Sequence, residues 1–157
     1  METEIVLERF DSGMHYIMLD KKTVAALTKD NNKRAICRLN NQLEYHCAIM
    51  PKKEGGHFIN IGLTICKKLK ITKGSKVSAT FFVDKTEYQF EMPEELKEVL
   101  DTDQEANKIF HSLTEGNRRG LIYLVTQVKS SDKKIERALK IVERLKSGET
   151  SPRVILK

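Results

Sequence analysis

Hydrophobic and polar positions follow two different periods along this chain, and the change falls near Met92-Pro93. Up to that point short runs alternate with the two-residue period of a strand and are rich in β-branched and aromatic residues. Residues 4–10 and 14–19 read as strands joined by a polar turn at Asp11-Ser12-Gly13, and Asp20 is placed to cap a short helix carrying Val24, Ala25 and Leu27. The clearest hairpin follows. Ala35, Cys37 and Leu39 alternate with Arg34, Ile36 and Arg38, then Asn40-Asn41 supplies a two-residue turn, then Leu43, Tyr45, Cys47 and Ile49 alternate with Gln42, Glu44 and His46. After a loop at Pro51 and Gly55-Gly56 come a strand over 57–61 and one to two helical turns over 62–70, with Leu63, Cys66 and Leu69 on one side. The turn Thr72-Lys73-Gly74 leads to a long strand over 76–84, and Tyr88, Phe90 and Met92 read as a last one. About seven short strands with regular turn signals predict a closed or partly closed antiparallel barrel over residues 1–92.

From Pro93 onward the apolar spacing is helical. Pro93 suits a first helical position and Glu94-Glu95 the positive end of the dipole. A second helix capped by Asp103 carries Ala106, Ile109, Phe110 and Leu113, and Gly116-Asn117 reads as a break. A third helix carries Leu121, Leu124, Val125 and Val128, and a fourth, after Ser130-Ser131-Asp132, carries Ile135, Ala138, Leu139, Val142 and Leu145 up to Gly148. Residues 150–157 read as a tail. The fold class expected is therefore α+β: a small antiparallel β-barrel over 1–92 followed by a bundle of about four helices over 93–157.

Composition narrows the possibilities. A chain of 157 residues, 39% hydrophobic and 32% charged, suits a globular domain or a small domain with a companion. No apolar run approaches the roughly 18 residues that span a bilayer, and the acidic opening METEIVLERF is unlike a signal peptide, so a cytoplasmic protein is expected. Cys37, Cys47 and Cys66 have no paired spacing and read as small buried hydrophobes. Gly55-Gly56 is no dinucleotide fingerprint, and His15, His46, His57 and His111 lack ligand spacing. His46 and Cys47 point to opposite faces of one strand, which argues against a shared metal or nucleophile site. There is no catalytic signature, and neither cofactor nor metal is expected.

The net charge of 28 − 22 = +6 is unevenly spread. Residues 91–115 hold 2 basic and 8 acidic side chains, whereas 116–157 hold 11 and 4. Acids early in a helical segment and bases late complement the helix dipole and attract one another.

The stretch 58–82, FINIGLTICKKLKITKGSKVSATFF, resembles the double-split β-barrel pattern of AbrB-like transition-state regulators. The helical half runs in the order Pro93, Leu96, Ala106, Phe110, Leu113, Arg118-Arg119, Lys129, Lys134, Arg137, Leu145, Gly148. With that order the chain, over about residues 4–148, resembles the YdeI/OmpD-associated family, in which a small barrel precedes a helical domain. The family's Trp-Ile near the end of the third helix is missing from LVTQVKSSDKKIER, and Asp132-Lys133-Lys134 stands for its Glu-Thr-Arg. An ammonium at Lys134 replaces a guanidinium that could bind an anion bidentately.

These residues favour a binding or stress-protection module. Its expected site is a basic groove between barrel and helices, formed by Lys129, Lys134 and Arg137 with Arg118 and Arg119 nearby, for an anionic small molecule or protein surface. The alternative is nucleic-acid binding through Lys133, Lys134, Arg137, Lys140 and Arg144, opposed by the interrupting Glu136 and Glu143 and by the absence of Trp. No membrane partner is expected.

Overall fold

The structure is a computed structural model that describes residues 2–157, and the chain divides after Lys85 into two compact units. The first contains β1 (Glu2–Val6), β2 (Glu8–Arg9), β3 (His15–Leu19), β4 (Arg34–Leu39), β5 (Leu43–Ala48), β6 (Met50–Pro51), β7 (His57–Ile61) and β8 (Lys76–Val83). Two short helices, α1 (Lys21–Leu27) and α2 (Leu63–Leu69), accompany them. The strands form two antiparallel four-stranded sheets, ordered β1-β8-β4-β5 and β2-β3-β7-β6.

This corrects the expectation of a closed barrel. The run read as one strand over 4–10 is interrupted at Leu7, which is fully buried and donates its N–H to Ser75 O at 2.8 Å. The β5–β6 run is interrupted in the same way at buried Ile49, whose N–H goes to Lys33 O at 2.9 Å. At each interruption the chain leaves one sheet and enters the other, so the ladders end at these bends and two sheets result. Both face one core, which includes Leu7, Ile17, Leu39, Ile59, Ile61, Val77 and Phe81.

Local chemistry explains what surrounds that core. Asn40 and Asn41 adopt φ of 52° and 55°, the left-handed pair that a two-residue hairpin turn demands, and set the register in which Arg38 faces Glu44. Those two side chains form an ion pair at 2.6 Å. Asp20 caps α1 as expected, accepting from Thr23 N at 2.7 Å. The three cysteines are free and buried. Burial pushes the Cys37 thiol up to about 12 and raises those of Cys47 and Cys66, so all three stay protonated and poorly nucleophilic at neutral pH.

Tyr88, Phe90 and Met92 do not form the expected strand. Gln89 has a φ of 53°, which breaks extension, and the three flanking side chains pack against the helical core. That core belongs to α3 (Glu94–Thr102), α4 (Gln104–Ser112), α5 (Glu115–Thr126) and α6 (Ser131–Lys146). The described residues thus form six α-helices, two of them in the sheet unit. Asp103 caps α4 through Ala106 N at 3.1 Å. Gly116-Asn117 lies inside α5 instead of breaking the chain, because the Thr114 hydroxyl accepts from Asn117 N at 3.2 Å and starts the helix earlier. Gly148 follows α6 at φ 100°, the conformation expected of a residue that ends a helix.

The C-terminal residues are not a loose tail. Ile155 is fully buried in the helical core, and Lys140 Nζ donates to Leu156 O at 3.1 Å. Pro152 lies against α5 so closely that a Cβ added at Gly120 would stand 2.6 Å from its Cγ. Gly to Ala inside a helix ordinarily stabilises by about 1 kcal/mol. At position 120 the opposite sign is expected: Gly120→Ala lowers stability by about 1–3 kcal/mol because a rigid ring must be displaced. Urea unfolding followed by circular dichroism checks it, and a variant as stable as the parent would contradict the packing.

Candidate functional site

The helical unit places the five expected site residues at two ends of α5. Lys129 is exposed in the short connection between α5 and α6. Ser130 caps α6, its hydroxyl accepting from Lys133 N at 3.2 Å. Lys134 and Arg137 lie three residues apart in the first turns of α6 and share a face. The Arg137 guanidinium turns back to the end of α5 and donates to Leu124 O at 2.7 Å. That carbonyl belongs to the last turn of α5, where partners within the helix run out and a cation is favoured by the dipole. Arg137 therefore pins α5 to α6.

Arg118 sits in the first turns of α5, six residues and about 9 Å of helix rise before Leu124. Its Nη1 approaches His111 O at 3.4 Å, which directs it toward the α4–α5 turn. Arg119 is half-buried. Lys129, Lys134 and Arg137 are thus brought to one corner, and Arg118 is directed to the other end of the helix.

Acids in α3 and just before α4 answer part of this charge. The Glu95 carboxyl is held below its ordinary value by its own backbone N–H, by the Ser131 hydroxyl and by the Lys134 charge. Asp103 is likewise held down by Lys146, 2.7 Å away, with help from the Ala106 N–H. The acidic and basic halves noted in the sequence therefore meet within the unit. Of the five cations in the nucleic-acid alternative, Lys134 faces Glu95, Arg137 holds Leu124 O and Lys140 holds Leu156 O. Lys133 and Arg144 make no ion pair among the described residues.

A second constellation escaped the sequence reading. His111, in the last turn of α4, directs Nδ1 to Asn107 O at 2.9 Å, a contact that requires an N–H at that nitrogen. In the neutral ring Nε2 is then an acceptor, and it receives the Tyr88 hydroxyl at 2.8 Å. Glu87 Oε1 stands 3.7 Å from the same Nε2. Burial and the Glu87 charge push the Tyr88 phenol up, which keeps it a donor. Neither residue signalled this pairing, because Tyr88 carried strand-like alternation and His111 had no ligand spacing. No group of three metal-ligating side chains occurs among the described residues, and no helix is long and apolar enough to cross a membrane.

Architecture and residue order define a two-part α+β protein, an antiparallel sheet unit followed by a four-helix unit. Residues 2–81 match the family model of a domain of unknown function, DUF1905, and residues 89–148 match the model described as bacteriocin-protection, YdeI or OmpD-associated. The chain belongs to the YdeI/OmpD-associated family, with an N-terminal DUF1905 domain. No curated protein matches it.

Proposed function

We propose that this chain is a binding module whose helical unit recognises an anionic ligand or partner surface at the α5–α6 corner. The observation that carries this is the cation cluster Lys129, Lys133 and Lys134 at the start of α6, where the helix dipole disfavours cations. An anion held there gains from the same dipole. Arg137 supports the corner by fixing α5 to α6, while Lys129 and Lys133 remain exposed and available. A protective role, as the matched family description names it, suits a module that acts by binding. On this reading Arg118, which is directed toward His111 and Tyr88, stands outside the anion contact, and Arg119 takes no part in it.

Titration with inorganic phosphate, followed by the melting temperature, tests this reading. The wild type is expected to gain roughly 2–4 °C for each kcal/mol of binding linkage, and Lys129→Ala/Lys134→Ala to gain nothing. Arg137 is left intact in this variant because its loss would also remove the Leu124 bond. Identical responses of the two proteins would exclude the site. Duplex DNA binding at physiological salt, with a salt slope of several units, would favour the nucleic-acid reading instead.

A further inference from the structure

The sheet unit carries a second, independent feature. Residues 55–83 contain five lysines and no Asp or Glu. Lys67, Lys68 and Lys73 are exposed and make no ion pair among the described residues. This basic stretch borders a cleft of about 610 Å³ whose lining includes Arg9, Met14, His15, Leu63, Thr72 and Lys73.

Backbone bonds bring its three walls together. His15 pairs with Ile61, which sets the start of α2, and hence Leu63, beside β3. Gly13 N bonds Phe10 O and Phe10 N bonds Met14 O, closing the turn that carries Met14. Gly74 N bonds Leu7 O while Leu7 N bonds Ser75 O, tying the Thr72-Lys73 turn to the junction just before Arg9. The floor is apolar and unusually open: Leu63 is 59% exposed, more than any other large hydrophobic side chain described, and Met14 is 43% exposed. Arg9 and Lys73 contribute cations to the lining.

We propose that this cleft binds an amphiphilic anion, a monomeric molecule with a phosphate or carboxylate head and a short apolar body. The head would meet Arg9 and Lys73, and the body would cover Leu63 and Met14. Apolar lining with a few convergent polar groups is the ordinary composition of a small-molecule site, and the cations select for a negative head. An uncharged apolar ligand would leave the cations unused. Inorganic phosphate would leave the floor exposed.

The test is calorimetric titration with octyl phosphate kept below its micelle concentration, beside inorganic phosphate and anionic phospholipid vesicles. Octyl phosphate is expected to bind at least about tenfold more tightly than phosphate, since covering a leucyl side chain corresponds to roughly that ratio. Leu63→Ser and the double variant Arg9→Gln/Lys73→Gln are each expected to weaken it about tenfold or more. Exposure of Leu63 and the absence of ion pairs at Arg9 and Lys73 among the described residues leave the fold intact in both, which circular dichroism checks. Lys129→Ala/Lys134→Ala is expected to bind octyl phosphate normally, so failure of this site and failure of the α5–α6 site are separable. Octyl phosphate binding no tighter than phosphate, binding unchanged in both cleft variants, or binding to vesicles alone would each overturn the proposal.

Discussion

Ile155→Ala is expected to destabilise the helical unit by about 2–5 kcal/mol, the range for truncating a buried aliphatic side chain to alanine. Ile155 is fully buried although it lies only two residues from the last residue. It packs in one cluster with Leu96, Phe110, Leu121 and Ile141, so its loss opens a cavity among four helices. Val154, next to it, is 42% exposed, and Val154→Ala is expected to change stability by less than about 0.5 kcal/mol. Urea unfolding monitored at 222 nm distinguishes the two. Deleting residues 149–157 is expected to exceed the point substitution, because it also removes the Lys140–Leu156 bond and the Pro152 contact on Gly120. Equal, small effects of Ile155→Ala and Val154→Ala would mean that the segment is solvated.

Features fixed by near neighbours were legible in the sequence. Asp20 and Asp103 were readable as caps because a capping oxygen needs only the N–H three residues on. The Asn40-Asn41 turn was readable because few residue pairs tolerate two positive φ angles. Where the reading failed, the cause lay at a distance or in a masked local signal. Nothing in the alternation of residues 4–10 shows a bend at Leu7, since the bond that fixes it comes from Ser75. Gly116-Asn117 resembles a break, yet Thr114 stands at the usual capping distance from Asn117 and starts the helix ahead of it. The apolar triplet Val154-Ile155-Leu156 was a signal of burial in a segment read as a tail. For the candidate site, the sequence supplied the cations but not their partners. That Arg137 holds Leu124 O, and Arg118 approaches His111 O, depends on how α5 packs against its neighbours.

One polar pair in the sheet unit carries the remaining large effect. Asp84 follows β8 directly, and its side chain is fully buried and 2.6 Å from His46 Nδ1. His46 lies on β5 opposite Ile36, while its sequence neighbour Cys47 points into the core, so the pair belongs to the outer face of that sheet. A buried carboxylate is tolerated only when its oxygens are bonded, and removing a buried ionic partner typically costs several kcal/mol. His46→Ala, which leaves the buried carboxylate with one partner fewer, is expected to cost about 3 kcal/mol. Asp84→Ala, which removes that carboxylate and leaves its hydrogen-bond partners unmet, is expected to cost about 1–3 kcal/mol. If the two side chains act on each other, the double variant costs less than the sum, with a coupling of roughly 0.5–3 kcal/mol. Strict additivity in that cycle would show that Asp84 is held by other groups and that His46 contributes nothing through it.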